Sequence, residues 1–121
     1  MLLIVDDDPK FLQDAERALD AEGGVLFARD ADQALDLVGN LGAEFSAVLV
    51  DLNLPGKDGF SLIIEMRRRF PNLPVIAISG VVQEHALESA KAVGAADALR
   101  KPITSEWNTV IFRAQRKTAN G

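Results

Sequence analysis

Five short runs of β-type apolar residues recur along the chain, each followed by a stretch with helical spacing, and no other feature restricts the fold as strongly. The runs are LLIV (2–5), VLFA (25–28), AVLV (47–50), PVIAIS (74–79) and a less distinct one at 97–100. Strands separated by helices lie parallel, because the chain must cross back over the sheet before it can pair again, and that crossover is right-handed. Strands covered on both faces read as continuous apolar runs, not alternating ones, and these do. The expected fold is therefore α/β, with a five-stranded parallel sheet between two layers of helices.

The intervening segments carry the matching signals. Asp8 offers an N-cap with Pro9 at the first helical position, and Phe11, Leu12, Ala15, Ala18 and Leu19 share a face before Gly23 and Gly24. Asp30 and Gln33 resemble a capping box ahead of Ala34, Leu35, Leu37 and Val38. After the turn-rich NLPGKDG (53–59), Phe60, Ile63, Ile64 and Met66 define the inner face expected of a third helix. A fourth, with Val82, Ala86, Leu87, Ala90 and Val93, stops at Gly94, a residue suited to the C′ position. A last helix, capped by Thr104 or Ser105, turns Trp107, Val110, Ile111 and Ala114 inward.

Size and charge narrow the function classes. A chain of 121 residues has room for one core, and no linker, low-complexity tract or duplication marks a second, so residues 1–121 are expected to be a single domain. No apolar run approaches the roughly 20 residues of a membrane span, and Leu2 to Val5 is too short for a signal peptide, so a cytoplasmic location is expected. The net charge of -5 speaks against a general nucleic-acid surface. MRRRF (66–70) and RAQRK (113–117) are basic, but each falls where a helix is expected to end, and cations there complement the helix dipole.

In parallel sheets ligands bind beyond the carboxyl ends of the strands. The first strand ends in Asp6 and Asp7, the third in Asp51, the fourth in Ser79, and the fifth in Lys101 followed by Pro102. Two like charges about 4 Å apart repel by roughly 4 kcal/mol at an effective dielectric near 20. Such a cluster takes up a proton, stays apart or binds a cation, and Mg²⁺ suits oxygen ligands of this kind. Asp8 and Asp58 read as helix caps instead, and His85, the single histidine, as a solvated residue.

Four stretches in order, LLIVDDD (2–8), VLVDLNLPGKDG (48–59), VIAISG (75–80) and LRKPI (99–103), resemble the receiver domains of two-component response regulators. The resemblance covers nearly the whole chain and includes an intact D-x-x-L-P-x-x-D-G pattern from Asp51 to Gly59. It implies a flavodoxin-like sheet of order 2-1-3-4-5. It also implies that Asp51 accepts a phosphoryl group, that Asp6, Asp7, Asp51 and the backbone carbonyl of Asn53 hold Mg²⁺, that Ser79 and Lys101 contact the phosphoryl group, and that the bond to Pro102 is cis. The implied partners are a sensor histidine kinase or histidine phosphotransfer protein, an output domain or protein, and in some settings a second copy docked through the fourth helix, fifth strand and fifth helix. Such a domain catalyses only its own phosphorylation and dephosphorylation, with no direct contact to nucleic acid or membrane.

One position departs from the family pattern. Many members carry an aromatic residue three places before the lysine, where this chain has Ala98. A receiver serving as a phosphorylation-independent docking module is thus the alternative. A haloacid dehalogenase-like phosphatase would share the strand-end aspartates and Mg²⁺, but its D-x-D-x-[TV] signature fails at Lys10.

Overall fold

The structure, a computed structural model, describes residues 1–54, 56, 58–80 and 84–120. Its elements run β1 Leu2–Val5, α1 Pro9–Ala18, β2 Val25–Ala28, α2 Ala31–Leu41, β3 Ala47–Asp51, α3 Gly59–Arg69, β4 Val75–Ser79, α4 Glu84–Ala92, β5 Asp97–Arg100 and α5 Glu106–Asn120, with one 3-10 turn at Gly42–Glu44. The strands pair in parallel in the order β2-β1-β3-β4-β5. None of the helices among the described residues is long and apolar enough to cross a membrane.

Strand side chains alternate between faces, so the continuous apolar runs divide into two cores. Leu3, Val5, Val48, Val50, Val75 and Ala77 pack beneath α2, α3 and α4. Leu2, Ile4, Ala47, Leu49, Ile76 and Ile78 pack beneath α1 and α5, together with Phe11, Trp107 and Ile111. The sheet grows in opposite directions from β1, towards β2 and towards β3. The crevice therefore opens beyond the ends of β1 and β3, where connections leave for opposite faces.

Capping follows the sequence closely. The Asp8 side chain accepts from the Lys10 amide and Pro9 opens α1; Asp30 accepts from Gln33, and Asp58 from Ser61. The Gln33 side chain reaches back to the Arg29 amide, one residue before the capping-box position. Gly94 lies just past α4 with φ of 120°, a conformation open chiefly to glycine.

Several inward-facing assignments need correction. Ile64 is 49% exposed and Leu62 is wholly buried, because the buried arc of α3 is centred on Leu62, Ile63 and Met66 and puts Ile64 on the far side. Ala18 is exposed at the rim of the α1 arc, where the helix ends and its carbonyl accepts from Asn108 Nδ2. Leu37 and Phe60 are only half-buried. RAQRK does not end α5, which continues to Asn120, whereas Arg67, Arg68 and Arg69 do occupy the last turn of α3. Val82 lies outside the described residues.

Candidate functional site

The segment after β1 turns sharply enough to bury one aspartate and expose the next. The Asp6 amide still bonds the Ala28 carbonyl at 3.0 Å, while its Oδ1 accepts from the Asp8 amide at 2.9 Å. Asp6 is wholly buried; Asp7 is exposed. Asp8, by capping α1, fixes the turn that aims both.

Asp51 is the last residue of β3 and is 5% exposed. Its Oδ1 accepts from the Asn53 amide at 2.9 Å, which leaves Oδ2 facing the crevice. The carboxylates of Asp6, Asp7 and Asp51 bring ligand oxygens within 4.8 Å of one another. Lys101, the first residue after β5, reaches the carboxylates of Asp6 and Asp51. Its Nζ stands 2.7 Å from Asp6 Oδ2 and 3.3 Å from Asp51 Oδ2. Ser79 is buried at the end of β4, opposite Arg100 in the register, and its carbonyl accepts from the Lys101 amide at 2.9 Å. The Lys101–Pro102 peptide is cis.

Thus the strand-end aspartates and Lys101 meet at one edge, with Ser79 on the adjoining strand. Asp58 is a cap and His85 is exposed, as the sequence indicated. Ala98 is half-buried in β5 on the α4 side.

Electrostatics set the resting state of the site. Burial pushes the Asp51 carboxyl up, the Asn53 amide opposes it, the charge of Asp6 raises it further and Lys101 pulls it down; the net result is a raised pKa. For Lys101 burial lowers the value, but the close contact with the Asp6 carboxylate and the charge of Asp51 outweigh it, and its pKa rises. The lysine remains an ammonium and does the work of a counter-ion. A cation of the Mg²⁺ class fits this donor set. The ligands are all oxygens, and buried Asp6 Oδ2 has the ammonium beside it but no well-directed hydrogen bond.

The family model for the response regulator receiver domain matches residues 2–109. The chain belongs to that family. Its relatives include the DNA-binding transcriptional regulator NtrC of Proteus hauseri, 35% identical over 92% of this chain and 24% of that protein. The solved NtrX of Brucella abortus superposes with a TM-score of 0.86 at 30% identity, covering 98% of this chain and 28% of that one. A receiver domain protein from Clostridium thermocellum gives 0.88 at 25% identity, over 98% and 96% of the two chains. The chain spans 24% of NtrC and 57% of the transcriptional regulator FixJ of Bradyrhizobium diazoefficiens. Receiver domains are regulatory modules of two-component systems, and this one has the family's sheet order and an acidic cluster in its crevice.

Two features of this receiver's site escaped the sequence reading. Phe11, assigned there only to the core, lies under the Lys101 ammonium, 4.3 Å from Nζ to the ring centroid. Gly59, noted only within a motif, packs against the backbone of Asp51 and Leu52. The position before a helix marked Asp58 as a cap, but nothing local marks a residue that must lack a Cβ.

Proposed function

We propose that this receiver domain is a phospho-acceptor switch. Asp51 Oδ2 attacks the phosphorus of a phosphohistidine, on a sensor kinase or a histidine phosphotransfer protein, or of a small donor such as acetyl phosphate. An O–P bond forms on Asp51, the bond to the donor breaks, and the imidazole or acetate leaves. The observation that carries this reading is the placement of Asp51 Oδ2, which is buried at a strand end with a cation 3.3 Å away and two further carboxylates beside it.

Asp6, Asp7, Asp51 and the Asn53 carbonyl would hold Mg²⁺, which when bound neutralises charge on the transferring group. Phosphoryl transfer needs little covalent help, so the protein contributes mainly positioning and charge. The Asn53 amide holds Oδ1 and so aims Oδ2. Lys101 is already charged and already directed at the acceptor, a preorganised counter-ion for the incoming oxygens. Ser79, beside it in the sheet, supplies a hydroxyl to the phosphoryl group. Its bond and that of Lys101, at roughly 1.5 to 3 kcal/mol each, together approach the roughly 5.5 kcal/mol that takes a two-state population from 1:99 to 99:1. NtrC and FixJ are transcriptional regulators by name, which supports an output domain or protein as the reader of this switch. The surface formed by α4, β5 and α5 is the proposed route to that output or to a second copy.

The test is the intact mass after incubation with acetyl phosphate, with and without Mg²⁺. A Mg²⁺-dependent gain of one phosphoryl group per chain is expected; no gain with any donor, including a phosphorylated histidine protein, would sink the reading. Asp7→Ala is expected to weaken Mg²⁺ binding by roughly ten-fold or more and to slow labelling in proportion. Its side chain is exposed, so the melting temperature without metal should hold. A calorimetric titration with Mg²⁺ checks the first effect and a thermal melt the second.

A further inference from the structure

We propose that Phe11 is a positioning residue for Lys101, its ring face serving as the third partner of the ammonium beside Asp6 and Asp51. The inference rests on the phospho-acceptor reading for its consequence, but not for its geometry. Nζ lies 4.3 Å from the Phe11 centroid, 2.7 Å from Asp6 Oδ2 and 3.3 Å from Asp51 Oδ2. A cation within about 6 Å of a ring face is attracted by the ring's quadrupole, more strongly where water is excluded. Here it is largely excluded, since the Lys101 side chain is 18% exposed and Phe11 is 5% exposed.

The ring is itself held in place. Trp107, 2% exposed, packs against it at 5.8 Å between centroids and a tilt of 53°. Phe11 thus joins the α1–α5 core to the lysine that faces the acceptor. Two carboxylates alone would allow the ammonium to swing about the line between them; the ring face fixes the remaining direction. A leucine or methionine fills similar space without a π face, so the position separates packing from electrostatics.

Two readouts decide the matter. In the metal-free protein, the Lys101 ε-methylene protons lie beside a ring face and are expected upfield of ordinary lysine positions, with Lys101→Met identifying the signal. Phe11→Leu and Phe11→Met are expected to lose that shift and Phe11→Tyr to keep it. In labelling with acetyl phosphate, Phe11→Leu should lower the maximal rate about five-fold or more with little change in the half-saturating donor concentration, and Phe11→Tyr should restore it. Methionine adapts to irregular space, so Phe11→Met carries the comparison where Phe11→Leu does not fold. A native protein without the upfield signal overturns the proposal, as does native-rate labelling of the folded leucine and methionine variants. A native protein that shows the signal but takes no label upholds the positioning and overturns the phospho-acceptor reading instead.

Discussion

Asp51→Asn is expected to take no phosphoryl group from any donor, with or without Mg²⁺, and at neutral pH to melt at or above the native temperature in metal-free buffer. The first result follows from chemistry, because an amide oxygen is too weak a nucleophile to replace the carboxylate. The second follows from the raised pKa. Burial, partly opposed by the Asn53 amide and reinforced by the charge of Asp6, makes the native state hold the Asp51 proton to higher pH than the unfolded chain does. Stability from that proton is present below the ordinary carboxylate pKa and is lost as pH rises through the folded value. At neutral pH, above the ordinary carboxylate value, the native carboxyl has given up stability that a neutral amide keeps.

Lys101 loses one partner in this variant but keeps Asp6 at 2.7 Å. Mg²⁺ should reverse the ranking, since a ligand that binds only the folded state stabilises by an amount that grows with the logarithm of its affinity, and the variant lacks one carboxylate. Thermal melts with and without Mg²⁺, paired with intact mass, check both parts. A metal-free melting temperature well below native would contradict the burial cost, and label on the variant would move the acceptor elsewhere.

What the sequence disclosed depended on how far apart in the chain the cause lay. Strands and caps arise from neighbours, so β1, β2 and β5 begin and end where the apolar runs do, and Asp8, Asp30 and Asp58 cap as their positions indicate. The order β2-β1-β3-β4-β5 is a property of non-local pairing; the apolar pattern could supply parallel strands, and only the resemblance supplied their order. Ile64 and Leu62 were exchanged because the apolar residues of α3 span more than one face, and the side that is buried depends on where α3 meets the sheet. The acidic residues were visible because strand ends converge in any such sheet. Phe11 under Lys101 was not, since its role depends on a contact between the first helix and the loop after the last strand. To periodicity alone it is one more core aromatic.

Gly59→Ala is expected to destabilise the fold by about 3 kcal/mol or more, lowering the melting temperature by roughly 10 °C. A Cβ on Gly59 would stand 2.6 Å from the Cα of Leu52 and would also collide with the carbonyl oxygen of Asp51. Both obstacles are backbone, so no rotamer change relieves them. Gly59 opens α3 and its amide bonds the Leu52 carbonyl at 3.2 Å, so the helix start is tied to the residue whose Cα the added methyl would strike. If α3 lifts away, Leu62, Ile63 and Met66 leave a core in which all three are wholly buried. If the strand end yields instead, Asp51 moves from its place opposite Lys101, and labelling should fall even in the fraction that remains folded. Gly39→Ala is the matched control: Gly39 lies within α2 with nothing within 4 Å of its added Cβ. There the same methyl group should stabilise by about 0.5 to 1 kcal/mol through helix propensity and loss of unfolded-state freedom. Opposite signs at the two glycines, read by denaturant melts, would place the effect in the contact between α3 and the end of β3. Equal and small effects would mean that this contact does not hold Asp51 in place.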